Sequence, residues 1–333
     1  MPIFVRRFQC AIAFLCLALA AMCAATSAHA RDELTMGLIT ADNSETIRAT
    51  WDPILEDMSE FIGMPVKASL SGDYAGIIWL LAADKVQLAW MGNKAALEAS
   101  ERTNVDILVK TLNEKSGGGY HSHLIARKDS GLDSEQDVLN NANRLIFGNG
   151  DPNSTSGFAV PGYYLFAKRG IDPNAAFKRI KSGNHEENFL AVADGKVDAA
   201  TGNSTALGRY KAKYPERYER IQVIWTSPLI PTDPILIRSD VSDALKRTVK
   251  EFFIQYGKPA PGKSDEQVAS ELKRLGVRKL VGFAPSDNSQ LDPIRKLELF
   301  KERLRIEGDD AMPADDKLQR LQTIDAKLKK LES

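Results

Sequence analysis

Three consecutive hydroxyl residues, Ser154, Thr155 and Ser156, follow a turn-forming cluster in the segment FGNGDPNSTSGFAVPG, residues 147–162. The run before the cluster is apolar, and apolar residues with helical spacing follow Ser156, so the pattern predicts a strand, a tight turn and a helix over residues 156–169. Amides at a helix start have no partner within the helix, and the helix dipole is positive there. With three hydroxyl donors, they would form an anion site that needs no lysine. Alternatively, Ser154 only caps a surface helix.

Polar residues recur at other predicted strand–helix junctions. They are Tyr74, expected to be exposed at a helix start, Tyr120 after three glycines, His185 at a helix start, Thr201 and Asn203 after a strand, and Asp233 between two prolines. Some have plain structural alternatives: Tyr74 as packing, His185 as a helix cap and Asp233 as a turn residue. Because ligands of open α/β sheets bind beyond the carboxyl ends of strands, the recurrence favours a shared binding site.

The N-terminus has the pattern of a secretory signal peptide. Arg6 and Arg7 precede a nearly unbroken apolar stretch, and residues 28–30 form an A-x-A cleavage motif. We therefore expect residues 1–30 to be removed and the rest to be exported to the periplasm. The alternative, a membrane anchor, is disfavoured because the stretch is short for a membrane span and ends in small residues.

Composition excludes several classes of function. All three cysteines lie in the predicted signal, so the mature chain would have no disulfide (Cys10, Cys16 and Cys23). The 44 basic and 44 acidic residues balance, which argues against nucleic acid as a partner. His121, His123 and His185 form no pattern with zinc-ligand spacing, although the first two would share one face of a strand. We expect neither a metal nor a cofactor.

Predicted strands and helices alternate along most of the chain, which indicates parallel or mixed sheets covered on both faces. The alternation restarts after residue 127, and prolines at 228, 231 and 234 mark a return. We therefore expect two α/β lobes joined by a hinge: residues 31–127 with 229–290 as lobe 1, 128–228 as lobe 2, and 291–333 as an additional C-terminal helical segment. An exported two-lobed α/β chain without cysteines has the general form of a periplasmic solute-binding protein.

Seven segments occur in the order and with compatible spacing of one known family. They are DYAGII (73–78), AW-x-GN (89–93), GY (119–120), FGNGDPNSTSGFAVPGYY (147–164), HE (185–186), VDAAT (197–201) and VIW-x-SPLIP-x-DP (223–234). DPNSTSG is specific, whereas GY and HE are common. The chain thus resembles the substrate-binding proteins of phosphonate ABC transporters, and the resemblance implies the type II periplasmic-binding-protein fold.

The resemblance also implies roles for individual residues. Ser154, Thr155 and Ser156 would bind the phosphonate oxygens. The remaining four would complete the site: Tyr74 as a hydroxyl donor from the opposite lobe, Tyr120 enclosing the ligand, His185 reaching the phosphonate, and Asp233 pairing with the ammonium of 2-aminoethylphosphonate.

One position departs from the family pattern. Thr205 stands where family members that bind 2-aminoethylphosphonate carry a second carboxylate for the ammonium. Either a neighbouring acid, Glu186 or Glu187, compensates, or the preferred ligand differs. The alternatives are an uncharged alkylphosphonate, phosphite or a phosphate ester.

The predicted function is capture of a phosphonate, 2-aminoethylphosphonate or a related alkylphosphonate, and delivery to an ABC import permease in the inner membrane. Service to a sensor is an open alternative. The enzymatic alternative is an exported phosphoester hydrolase with Ser154 or Thr155 as nucleophile and His185 as base. The absence of a G-x-S-x-G elbow, a Walker A motif or a metal cluster in the sequence argues against an enzyme.

Overall fold

The computed structural model describes residues 32–40, 44–113 and 118–332. The predicted signal peptide and its cysteines lie outside these ranges. Within them, no helix combines the length and apolar character needed to cross a membrane. Residues from Leu34 onward pack as one unit.

The first sheet combines strands from the beginning of the described chain with strands from its last third. Numbered in chain order, its strands are β1 (Leu34–Ile39), β2 (Val66–Ser71), β3 (Leu88–Trp90), β4 (Val105–Asn113), β12 (Pro234–Arg238) and β13 (Leu280–Pro285). Their order across the sheet is β13-β4-β12-β3-β1-β2. β1 is parallel to β2 and β3, whereas β12 and β13 are antiparallel to their neighbours. The sheet is therefore mixed, because the returning chain adds antiparallel strands to a parallel core.

The second sheet comes from the middle of the chain. Its strands are β6 (Ser122–Arg127), β7 (Ile146–Asn149), β8 (Arg179–Ser182), β9 (Ala199–Asn203) and β10 (Ile221–Thr226), in the order β10-β6-β9-β7-β8. β7 is parallel to β8 and β9, and β6 is antiparallel to β9 and β10. This sheet is also mixed, as the alternation of strands and helices predicted.

Two segments carry the chain from one sheet to the other and pair with each other. They contain β5 (Gly119–Tyr120) and β11 (Ile230–Pro231), which form a two-stranded antiparallel ribbon. The strand β6, within the range 31–127 expected for lobe 1, pairs with β9 and β10 of the second sheet, so the first crossing between the sheets precedes Ser122. The division into two hinged lobes remains a proposal.

Helices cover the sheets. They are α1 (Ser44–Ile62), α2 (Tyr74–Ala82), α3 (Asn93–Arg102), α4 (Glu135–Asn140), α5 (Pro173–Ala176), α6 (His185–Ala193), α7 (Ser204–Lys213), α8 (Pro215–Arg220), α9 (Asp243–Gln255), α10 (Asp265–Gly276), α11 (Asp292–Glu307) and α12 (Ala314–Lys330), with short 3₁₀ turns at Ala142–Arg144 and Asn288–Leu291. The C-terminal helical segment predicted at residues 291–333 thus contains two helices, α11 and α12, separated by residues 308–313.

The helix predicted at residues 156–169 has unusual hydrogen bonding. Thr155–Ala159 and Gly162–Phe166 form π-helical turns, and a 3₁₀ turn at Ala167–Arg169 ends the run. We refer to this run as the π-helical segment. Such turns are frequent at functional sites, and here they begin at the hydroxyl triplet.

The core of the first sheet reaches the cavity described below through one aromatic contact. The apolar spacing of α1 places Ile47, Trp51 and Ile54 in the core, where all three are fully buried. The ring of Trp51 packs 5.5 Å from that of Trp90, centroid to centroid. Since Trp90 ends β3 and lines the cavity, the hydrophobic core fixes one of its walls.

Candidate ligand-binding site

A single cavity brings together the eight side chains that were assigned roles at the ligand; Asn203 also lines it, whereas Thr201 is fully buried and does not. The cavity has a volume of about 670 Å³ including its mouth, and the eight are Tyr74, Tyr120, Ser154, Thr155, Ser156, His185, Thr205 and Asp233. They come from elements of both sheets and from the segments that connect them. The sequence therefore predicted their convergence correctly; their roles in binding remain predictions.

The hydroxyl triplet sits on a tightly folded turn after β7. The Gly150 amide donates to the Gly157 carbonyl at 3.1 Å, and a Cβ on Gly150 would lie 2.6 Å from the Gly157 Cα, so only glycine fits there. Ser154 Oγ accepts from the Gly157 amide at 3.0 Å. Ser154 is therefore a helix cap, as the structural alternative held, and it also lines the cavity.

Ser156 is the meeting point of three elements. Its Oγ accepts from Asn203 Nδ2 at 3.4 Å and lies 3.4 Å from His185 Nε2. Asn203 ends β9 and caps α7, where its Oδ1 accepts from the Ala206 amide at 2.8 Å. Ser156 is only 2% exposed. Its hydroxyl contacts Asn203 at the start of α7 and His185 at the start of α6.

Thr155 connects the second sheet to a helix of the first. Its Oγ1 accepts from the amide of Lys94, in the first turn of α3, at 2.9 Å. The residue before that helix, Gly92, provides no side-chain cap, and a Cβ there would lie 2.9 Å from Thr155 Oγ1. The glycine thus permits the close approach that lets Thr155 cap α3 from outside.

Tyr74 lies at the start of α2, as predicted, but it is buried rather than exposed, with 7% of its surface accessible. Asp73 caps α2, accepting from the Gly76 amide at 2.7 Å. Burial raises the pKa of the nearby Asp151 carboxyl, and the charge of Asp73 adds to this, whereas hydrogen bonds from the amides of Asn153 and Tyr74 lower it. The start of α2 therefore lies against the turn that carries the hydroxyls.

Tyr120 belongs to the ribbon between the sheets, where it is paired with Ile230. Burial raises the pKa of its phenol well above the usual value, the negative charge of Asp233 raises it further, and hydrogen bonding with Ser156 and Thr155 partly opposes the rise. Its hydroxyl therefore stays protonated and can act as a hydrogen-bond donor.

Asp233 occupies the return crossing, and its backbone is fixed by β4. Its carbonyl accepts from the Thr111 amide at 3.1 Å and from Thr111 Oγ1 at 3.2 Å. Asn93 and Gln290 hold the residues just before it by donating to the Pro231 and Thr232 carbonyls, both at 2.8 Å. The carboxylate is thus positioned by a firmly held segment, not by an isolated turn.

His185 does not cap its helix, because Asn184 and Glu187 form a capping box at the start of α6. The expectation that Glu186 or Glu187 compensates for Thr205 is also not met. Glu186 Oε1 accepts from Lys213 Nζ at 2.7 Å and from the Tyr214 hydroxyl, and neither glutamate lines the cavity.

Sequence reasoning missed two arginines in the cavity wall. Arg209 lies one turn after Thr205 on α7, and Arg278 follows α10. Thr205 and Arg209 are four residues apart, and this spacing indicates a shared helix face once the helix is known to begin at Ser204. No motif marks Arg278.

His121 and His123 do not line this cavity. His121 precedes β6, and its Nδ1 lies 2.8 Å from the Ser227 carbonyl oxygen. Burial lowers the pKa of His123 to about 4. Over the residues that the structure describes, no three His, Cys, Asp or Glu side chains form a potential metal site.

Comparisons with known proteins agree on one family. A family model described as "ABC transporter, phosphonate, periplasmic substrate-binding protein" matches residues 36–291. The phosphonates-binding periplasmic protein of Escherichia coli is 41% identical over 308 residues, which cover 92% of this chain and 88% of that protein.

Two solved structures are similar. A crystal structure of a binding protein component of an ABC phosphonate transporter from Pseudomonas aeruginosa has a TM-score of 0.84 and 44% identity, and the match covers 91% of this chain and 97% of that one. A Prochlorococcus marinus protein in complex with methylphosphonate has a TM-score of 0.69 at 18% identity, with coverage of 80% and 97%, and supports the fold alone. The fold is the type II periplasmic-binding-protein fold.

Proposed function

Because this chain belongs to the family of periplasmic substrate-binding proteins of phosphonate ABC transporters, we propose that its cavity captures 2-aminoethylphosphonate or a related phosphonate and that the protein delivers it to an inner-membrane permease. The relatives are substrate-binding proteins, so the chain is a binding component of an importer and not an enzyme. Its family and its predicted signal peptide support a periplasmic location.

The hydrogen bonding of the hydroxyl triplet carries the proposal. Ser154, Thr155 and Ser156 each accept a hydrogen bond from a protein N–H group, at the Gly157 amide, the Lys94 amide and Asn203 Nδ2 respectively. A hydroxyl whose oxygen already accepts keeps its proton to donate. Three buried O–H donors within three consecutive residues suit an acceptor with three oxygens, and a phosphonate has three.

The tyrosines add donors to the same end of the cavity. Tyr120 is kept protonated by the raised pKa of its phenol, and Tyr74 lines the cavity from the first turn of α2. Hydrogen bonds to a charged acceptor contribute about 1.5–3 kcal/mol each, so a phosphonate can be held without a lysine. Asp233 would then face the substituent on phosphorus and attract an ammonium group.

The experiment is calorimetric titration of the chain that starts at Arg31 with a ligand series. The series contains 2-aminoethylphosphonate, methylphosphonate, phosphite, phosphate and glycerol phosphate. We expect the tightest binding from a phosphonate. If phosphate, phosphite or the phosphate ester bound more tightly than every phosphonate, the proposal would be wrong.

Delivery to a permease needs a separate test in cells. Deletion of the gene should abolish growth on the phosphonate that binds most tightly as the sole phosphorus source. The full-length chain should restore growth, and a chain beginning at Arg31, without the predicted signal, should not. Growth of the deletion strain at the normal rate would contradict a role in import.

A further inference from the structure

The C-terminal helix α11 contacts one element next to each sheet. Glu298 Oε2 lies 3.6 Å from the Nζ of Lys94, in the first turn of α3, and α3 follows β3 of the first sheet. The ammonium of Lys301 lies 5.5 Å from the ring centroid of Phe158, in the π-helical segment, which follows β7 of the second sheet. Two side chains within one turn of α11 therefore connect α3 to the π-helical segment.

The 3₁₀ turn that precedes α11 is fixed to the same region. Gln290 Nε2 donates to Asn93 Oδ1 at 3.0 Å and to the Thr232 carbonyl at 2.8 Å. Asn288 Oδ1 accepts from the Ile107 amide of β4 at 2.9 Å. Since Asn93 begins α3 and Thr232 lies in the return crossing, α11 starts from a point held against the first sheet.

The contacts of α11 belong to a small network of four charges. Lys94 Nζ also donates to Glu98 Oε2 at 3.2 Å, and Lys301 Nζ donates to Glu298 Oε1 at 3.1 Å. The four side chains are between 14% and 25% exposed, so salt screens them less than it screens open surface charges. Glu298 contacts both lysines and thus joins α3 to the residue that packs on Phe158.

The network holds both partners of the hydrogen bond made by Thr155. The donor is the amide of Lys94, whose side chain contacts Glu298, and the acceptor is Thr155 Oγ1, at 2.9 Å. Phe158, under Lys301, lies three residues after Thr155 in the same π-helical turn. A hydroxyl oxygen that accepts from an amide leaves its own proton free to donate. The direction of the Thr155 O–H therefore depends on how closely α3 approaches this turn.

We propose that Glu298 and Lys301 are positioning residues for the ligand site, because they hold α3 against the π-helical segment and so orient the Thr155 hydroxyl towards a bound phosphonate. Neither residue lines the cavity itself. This inference rests on the proposed phosphonate function and adds to it a part of the chain outside the cavity wall. Because Thr155 would contact the phosphonate oxygens, the effect of α11 should not depend on the substituent that the phosphonate carries.

The test begins with two substitutions on α11. Glu298→Gln removes the carboxylate that joins the lysines, and Lys301→Met removes a charge but keeps an apolar chain on Phe158. In calorimetric titrations, each should weaken binding of 2-aminoethylphosphonate and of methylphosphonate at least about fivefold, by the same factor for both ligands. Lys301→Arg keeps the charge and should restore the affinity.

Exposed positions provide matched controls. Glu307→Gln makes the same change as Glu298→Gln at the end of α11, and Lys329→Met makes the same change as Lys301→Met on α12. Both should bind the two ligands as the unmodified protein does. Circular dichroism of each variant checks that it is folded at the temperature of the titration.

A double substitution separates positioning from a general loosening of the fold. Effects of independent sites multiply in the dissociation constant, whereas residues that act through one shared contact do not. In a protein that already carries Thr155→Val, Lys301→Met should therefore weaken binding by less than about twofold. If Lys301→Met does not fold, Glu298→Gln carries the same comparison.

The outcomes distinguish this inference from the function on which it rests. Unchanged affinity in both α11 variants would overturn the positioning role and leave phosphonate binding intact. A full effect of Lys301→Met in the presence of Thr155→Val would also overturn it, as would a loss confined to one of the two ligands. If the unmodified protein bound neither phosphonate, the proposed function itself would be wrong, and this inference with it.

Discussion

The hydroxyl of Thr155 caps a helix that belongs to the opposite sheet, because its Oγ1 accepts from the Lys94 amide at the start of α3 at 2.9 Å. Helix starts leave amides without intrahelical partners, and Gly92 provides no side chain to satisfy them. The contact therefore contributes to the stability of α3 and also joins the elements on either side of the cavity.

Thr155→Val should destabilise the ligand-free protein. Valine has the shape of threonine but removes the acceptor, so we expect the free energy of unfolding to fall by about 1 kcal/mol, the usual effect of losing an N-cap. Denaturant unfolding monitored by circular dichroism measures this. Thr155→Ser keeps the hydroxyl and should stay close to the unmodified protein; a Thr155→Val variant as stable as the unmodified protein would show that the contact with the Lys94 amide does not stabilise the fold.

Ser156→Ala and Tyr74→Phe should each weaken phosphonate binding at least about tenfold, since each removes one hydrogen bond to a charged acceptor in a buried site. Calorimetry gives the dissociation constants. Ser100→Ala and Tyr218→Phe make the same changes outside the cavity and should leave the affinity unaltered. Unchanged affinity in both cavity variants would remove these residues from the site.

Asp233→Asn should change selectivity rather than affinity for phosphonates in general. The variant keeps the backbone carbonyl that holds Thr111 but loses the charge that would attract an ammonium. We expect 2-aminoethylphosphonate to bind at least about tenfold more weakly and methylphosphonate to bind as before. Asp310→Asn, at an exposed position between α11 and α12, is the control. Parallel losses for both ligands would mean that Asp233 acts by holding the fold.

The sequence was most informative where chemistry and local structure coincide. The STS triplet could be assigned to a helix start because hydroxyls after a Gly/Asn/Asp/Pro turn have that local meaning, and His185 and Asp233 followed from the same logic. Local patterns also account for α1, because its apolar face repeats every three to four residues.

Properties that depend on packing between distant segments could not be predicted. Tyr74 is buried where the turn after β7 meets the start of α2, and Arg278 lines the cavity from the residues between α10 and β13. The sheet to which β6 belongs was not predicted either, because only its pairing with β9 and β10 decides it. Each error concerns a long-range contact.

His123 gives the fold a sensitivity to acid that is independent of the ligand site. Burial lowers the pKa of its imidazole from 6.5 to about 4, and the neighbouring His121 adds to the decrease, while a hydrogen bond with the backbone of Trp225 opposes it. Above pH 6.5 the ring is neutral in both the folded and the unfolded chain. As the pH falls from 6.5 towards 4, the unfolded chain takes up a proton that the folded chain does not, so the free energy of unfolding decreases.

His123→Gln should remove this part of the acid sensitivity. From the two pKa values, the loss between pH 7 and pH 5 is about 2 kcal/mol in the unmodified protein, an upper value because the ring is only partly buried. Denaturant unfolding at both pH values gives the change for each protein. Carboxylates titrate in both and cancel in the difference, so the variant should lose less stability by up to this amount. An equal loss in the two proteins would show that the folded His123 takes up its proton as readily as the unfolded one.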